Sequence, residues 1–212
     1  LFDVESDPYE TNNLAKDLIY ADVLNEMRDR LGLWIRSMPD LSFYPEHHLI
    51  ATALDDPVSF GKRQSKDISA YVDIADLSLV TFERAKVYLD EALESQDPWK
   101  RYWALIVCSS FGQSATELTP RVRELVVSDP ELINQVRAAE YLALASTTDP
   151  GDTMIKALYN SKDGAEALLI LNSIVLMKDG FDYSFNIDAE RIHELVRENP
   201  EVKRRLKYLA GL

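Results

Sequence analysis

The chain has 212 residues, 46% of them apolar, and carries 36 acidic against 23 basic side chains for a formal net charge of -13. That length suits one large domain or two small ones, and the apolar fraction is enough to bury a real core. The excess of carboxylates, with no basic stripe to offset it, repels phosphate backbones and excludes nucleic acid as a partner; the longest apolar run, Ala165 to Met177, is interrupted by Glu166 and Asn172 and falls short of the about 20 residues that span a bilayer.

At the start, Leu1 to Val4 alternates like the end of a strand, and Asp7-Pro8-Tyr9-Glu10 reads as a turn. Val23, Met27, Leu31, Trp34 and Met38 then recur every three or four residues, which predicts an amphipathic helix from about Ala21 to Met38, ended by Pro39. Leu41 to Pro45 reads as loop and Pro45 to Leu54 as a short helix. Asp55 to Gln64, with Pro57, Gly61 and several polar residues, reads as a linker. From about Lys66 onward the pattern is helix, short break, helix, marked in turn by Ile68 to Ala75, Phe82 to Leu93, Trp99 to Phe111, Val122 to Val126, Val136 to Ala143, Met154 to Leu158 and Leu168 to Val175. Two further stretches, Ile192 to Val196 and Val202 to Leu209, follow the same pattern. Short breaks favour antiparallel neighbours. Leu176 to Phe185, with Gly180 and the rings of Phe181, Tyr183 and Phe185, reads as a loop whose aromatics pack on the helices.

Asx-Pro punctuates the chain at Asp7, Asp56, Asp97, Asp129, Asp149 and Asn199. The Asx side chain accepts from the free N–H groups of a first helical turn, and Pro fits the first helical position, so several of these dipeptides mark helix starts. Asp97-Pro98 with Arg101, and Asp129-Pro130 with Arg137, recur after about 32 to 36 residues, a helical-pair period. This arrangement resembles HEAT-like repeats, in which an Asp-Pro precedes the second helix and an Arg of that helix ties neighbouring units together. Asp97 and Arg101 match that pattern; Asp129 and Arg137 match it with about four extra residues, Glu131 to Asn134; the segment from Asp152 to Met177 lacks the Arg.

The opening Leu1-Phe2-Asp3-Val4-Glu5-Ser6-Asp7-Pro8-Tyr9-Glu10-Thr11-Asn12-Asn13-Leu14-Ala15 resembles the end of a sulfatase catalytic domain, and the following helix, with Val23, Met27 and Leu31 to Trp34, resembles that family's final helix. The resemblance covers roughly the first forty residues, and the helical remainder is similar to the repeat extension of some bacterial sulfatases. It implies a parent enzyme that hydrolyses sulfate esters or sulfamates, glycans among the substrates, in the periplasm or outside the cell. It also implies a calcium ion in the parent's catalytic domain and no cofactor in this segment. The family's nucleophile lies in a Cys-x-Pro-x-Arg type signature. Here Cys108 is followed by Ser109-Ser110-Phe111-Gly112, so no catalytic or metal-binding residue carries over. The lone Cys108 sits in an apolar helical run and reads as a buried, inert thiol.

Other chemistry is thin. His47 and His48 are adjacent, about 100° apart on a helix, and read as solvent-exposed rather than as ligands of one metal. His193-Glu194 has no second His four residues on, and reads as a solvated face. Ser109, Ser110 and Ser114 have no Gly-x-Ser-x-Gly frame. Trp99, Arg101 and Tyr102, with Lys100 and Trp103, are the candidate surface site: aromatic faces stack on sugars and Arg holds anions. Against that stands a packing reading, preferred here, in which Trp103 is core and Trp99 seals a helix start.

The sequence thus predicts an all-α fold, a HEAT-like stack of antiparallel helix pairs over residues 66–212, preceded by a sulfatase-like remnant over residues 1–55. The role expected of it is non-catalytic and accessory, with its own catalytic domain or a protein as partner. The alternative is a free-standing helical-repeat interaction module.

Overall fold

A computed structural model describes all 212 residues. The protein is all-α. Its helices are α1 (Ala21–Ser37), α2 (Glu46–Thr52), α3 (Pro57–Arg63), α4 (Ser65–Asp76), α5 (Phe82–Leu93), α6 (Pro98–Phe111), α7 (Thr119–Ser128), α8 (Leu132–Ser146), α9 (Gly151–Tyr159), α10 (Gly164–Phe181), α11 (Glu194–Arg197) and α12 (Pro200–Leu209). Short 3₁₀ turns fill several breaks, the longest being Gly112–Leu118.

Packing follows helix parity. The even-numbered helices stack in succession, α4 on α6, α6 on α8, α8 on α10 and α10 on α12. Of the odd ones, α5 packs on α6, α7 on α8 and α9 on both α8 and α10. Each pair exposes one apolar side that only the next pair can cover, the physical basis of a repeat stack. Two clusters of buried side chains result. One runs from Tyr44 and Phe60 through Tyr71, Trp99 and Ile133 to Ile170, Val196 and Val202. The other joins Phe82, Leu89, Leu105, Val122 and Tyr141. Trp103 of α6 packs against both clusters, joining them.

Capping explains where the helices begin. Asp97 accepts from Trp99 N at 2.9 Å, Asp56 from Ser59 N at 3.0 Å and Asn199 from Glu201 N at 3.0 Å, each followed by Pro. Asp149 serves Gly151 N at the start of α9 in the same way, at 2.8 Å. Asp7 caps no helix: its carboxylate accepts from Asn12 N at 2.7 Å inside a closed turn. Gly112 ends α6 with φ of 53°, a conformation that a side chain resists.

Three expectations are corrected. Leu1 to Val4 is not a strand; Leu14 N donates to Leu1 O at 2.8 Å, and no neighbouring strand offers a ladder. Asp55 to Gln64 is not a linker but contains α3, whose Phe60 and Gly61 are buried. Gly61 is there for close approach: a Cβ would meet Leu41 Cδ2 at 3.3 Å. Residues 44–60 accordingly share one core with the repeat helices. Finally, α10 continues to Phe181, where Asp182 (φ 59°) turns the chain. The extended segment 183–188 then alternates, with Tyr183, Phe185 and Ile187 on the core and Ser184, Asn186 and Asp188 in solvent.

Candidate functional site

The predicted aromatic platform is not on the surface. Trp99, Arg101 and Tyr102 are 6%, 7% and 8% exposed. A sugar cannot stack on rings that protein already covers, so the site expectation for these three residues gives way to the packing one. Tyr44 and His48 arrive from the α2 region to close over Trp99, with ring centroids 6.3 Å and 4.7 Å away. Trp103, half-buried, tilts against Phe43 and donates its Nε1–H to Phe43 O at 2.8 Å.

Arg101 instead forms the seam between successive helix pairs. Its Nε and Nη2 donate to the two oxygens of Asp129 at 2.7 Å and 3.0 Å, and its Nη1 donates to Ser95 O at 2.7 Å. This is a fork-on-fork pair, the strong form of carboxylate recognition. Asn134 of α8 completes it, donating to Pro98 O at 2.9 Å and lying 3.3 Å from both Asp129 oxygens. One step back in the stack, Tyr71 of α4 donates its hydroxyl to Asp97 at 2.9 Å. Burial and the Asp97 carboxylate together push the Tyr71 phenol far above its ordinary range. Asp97 therefore both caps α6 and ties units, and Asp129, which accepts from Glu131 N just ahead of α8, ties α6 to the next pair, as the Asp97–Arg101 pattern implies. Arg137 departs from it. Its guanidinium bonds to Glu140 of its own helix at 2.8 Å and to Tyr102 Oη at 3.4 Å rather than to the next Asp-Pro carboxylate, Asp149. Sequence reasoning missed Tyr71 and Asn134; both stand on helix faces whose spacing gives no sign of a polar partner from a distant helix.

The remaining candidates are structural. Cys108 is fully buried, and burial pushes its thiol up to about 12, so little thiolate exists at neutral pH. His47 and His48 are half-buried, not solvated as expected. Each lies against Trp99, and His48 also stacks on Tyr44 at 5.1 Å. No group of three or more His, Cys, Asp or Glu side chains is placed to hold a metal ion, and no helix is long and apolar enough to cross a membrane.

His48 carries a pH dependence. Burial first, and the neighbouring His47 second, hold its pKa below the ordinary value near 6.5. As pH falls through that value, the unfolded chain takes up the proton before the folded one does. The stability from a neutral His48 is therefore complete above about pH 6.5 and is lost below it, until the folded-state pKa is passed. We expect the urea midpoint of the protein to fall between about pH 7 and pH 5 more steeply than that of His48→Phe, which keeps the ring stack without the titration. Equal slopes would remove His48 from the acid response.

Two surface features stand outside this seam. One is the outer face of α1, where Val23, Met27, Leu31, Trp34 and Met38 are each between 47% and 59% exposed. The other is an open groove of about 650 Å³ between α4 and α5.

No family model matches the chain, and no solved structure matches it. Its sequence is similar to secretagogin of Rattus norvegicus, 27% identical over 138 residues that make up 65% of this chain and 46% of the relative. The likeness to secretagogin of Mus musculus has the same identity and extent. The chain therefore spans about half the length of the curated relatives it matches, and at this identity the likeness assigns no family.

Proposed function

We propose that this chain is a non-catalytic accessory region of a sulfatase-type hydrolase, built to support or orient a catalytic body or a protein partner. The observation that carries the reading is α1. Its periodic apolar stripe is the one that resembles the last helix of a sulfatase, yet not one residue of α1 is buried. Leu24, Gly32 and Ile35 turn toward the rest of the molecule, and Arg36 reaches Asp73 and Asp76 of α4 at 2.5 Å and 3.4 Å. The stripe beside them faces water. Exposed apolar residues that line up along one helix face mark interfaces. On this reading the stripe lies against the parent's catalytic body. That body would carry the formylglycine nucleophile and the calcium, and would act on sulfate esters or sulfamates outside the cytoplasm.

The test has two parts. The open reading frame that encodes this segment is expected to carry a Cys/Ser-x-Pro-x-Arg segment upstream, and the 212-residue chain alone is expected to release no sulfate from nitrocatechol sulfate. Sulfate release by this chain, or a frame without that signature, overturns the reading. In the chain itself, Met27→Lys combined with Trp34→Glu is expected to change the unfolding free energy by no more than about 0.5 kcal/mol, because both side chains are exposed. A larger loss in urea denaturation would show that the stripe is covered from within.

A further inference from the structure

The groove between α4 and α5 has an apolar floor, with Ile74 and Ala92 buried and Leu77 partly so, and an acidic rim formed by Asp73, Glu91 and Glu94. Lys100 is the one basic residue that lines it. Tyr88 stands at its edge, 61% exposed, a large ring with nothing over it. The volume lies within the about 300–1,000 Å³ range of pockets that take small molecules or side-chain anchors. The lining carries three carboxylates against the one ammonium of Lys100; Asp73 pairs with Arg36 and Glu94 with Arg121, while Glu91 forms no ion pair.

One wall of this groove already holds a cation from within the chain. Arg36 projects from the amphipathic helix α1, and Asp73 and Asp76 of α4 grip its guanidinium. Asp73 belongs to the rim as well. An amphipathic helix bearing a cation is thus what the α4 carboxylates hold within the chain, and the free Glu91 across the groove offers the same chemistry to a second one.

We propose that the α4–α5 groove docks a basic amphipathic helical segment of a protein partner, with aliphatic side chains against Ile74, Leu77 and Tyr88 and a Lys or Arg on Glu91. Helix-in-groove recognition works through anchors at i, i+3 or i+4 and i+7, and a floor flanked by carboxylates selects a basic helix over an acidic one. The inference does not depend on the sulfatase reading, since it needs only the groove.

The experiment uses the whole chain and a fluorescently labelled synthetic helical peptide of repeating Leu and Lys, followed by anisotropy. Binding that weakens with added salt is expected, reduced about tenfold by Glu91→Lys and by Tyr88→Ala. Both positions are exposed, so the fold survives, which circular dichroism checks. Glu83→Lys, an exposed charge reversal on the same helix but outside the groove, is expected to leave binding unchanged. A matched Leu and Glu peptide is expected not to bind. The proposal is overturned if the basic peptide fails to bind or if Glu83→Lys weakens it as much as Glu91→Lys. Binding indifferent to both groove substitutions, as would follow from attachment to the α1 stripe, overturns it too.

Discussion

Asp129→Ala is expected to cost the protein about 3–5 kcal/mol, a large fraction of the stability of a domain this size. The carboxylate is fully buried, and its partner, the Arg101 side chain, is only 9% exposed, so solvent screening gives no discount. Asp129 accepts two hydrogen bonds from Arg101, lies within reach of the Asn134 amide and also accepts from Glu131 N at 3.0 Å. Alanine removes all of these at once. The guanidinium cannot shed its proton in response, so a bare cation is left between helix pairs with Ser95 O as its remaining acceptor. The double variant Arg101→Met/Asp129→Leu is expected to lose less than Asp129→Ala alone, because removing both charges spares the desolvation that a lone one suffers. Urea denaturation of the wild type, Arg101→Met, Asp129→Leu and the double variant closes a cycle that gives the coupling directly. A loss under about 1 kcal/mol for Asp129→Ala would show that the seam does not hold the stack together.

The same seam shows which parts of the molecule could be read from the sequence. Asx-Pro followed by an apolar period announces α6, α9 and α12, because cap chemistry and helix propensity act within a few residues and need no tertiary partner. Gly61 and Pro57 misled for the converse reason. Both break chains in isolation, but Pro57 occupies the first turn of α3 and Gly61 is small so that Leu41 can approach. The α1 stripe was legible as a helix but its surroundings were not, since periodicity names an apolar face without saying what covers it. For Trp99, Arg101 and Tyr102 the sequence offers a surface platform, because two charges sit among the rings, beside the preferred packing reading. Their burial is decided by Tyr44 and His48, which lie about fifty residues earlier in the sequence, and by Asp129, which lies one repeat on. Tyr71 and Asn134 were invisible for the same reason: a polar residue on a helix face becomes part of a site only when a distant helix brings it a partner.

Ile170→Ala is expected to cost about 2–5 kcal/mol, while Leu176→Ala on the same helix costs no more than about 0.5 kcal/mol. The run from Ala165 to Met177 is apolar nearly all round, so sequence cannot say which of its faces matters. The structure decides it: α10 touches α2, α8, α9, α11 and α12, Ile170 is fully buried among them, and Leu176 is 51% exposed. Truncating Ile170 deletes its transfer free energy and leaves a void. The void can close only if walls supplied by several separate helices move together, which places the expected loss toward the upper part of the range. At Leu176 about half of the side chain is already in water, and its removal opens no enclosed void. Urea denaturation of both variants separates the two cases. Similar losses at the two positions would mean that α10 is not wedged among its neighbours, and the even-helix stack would lose its last full layer.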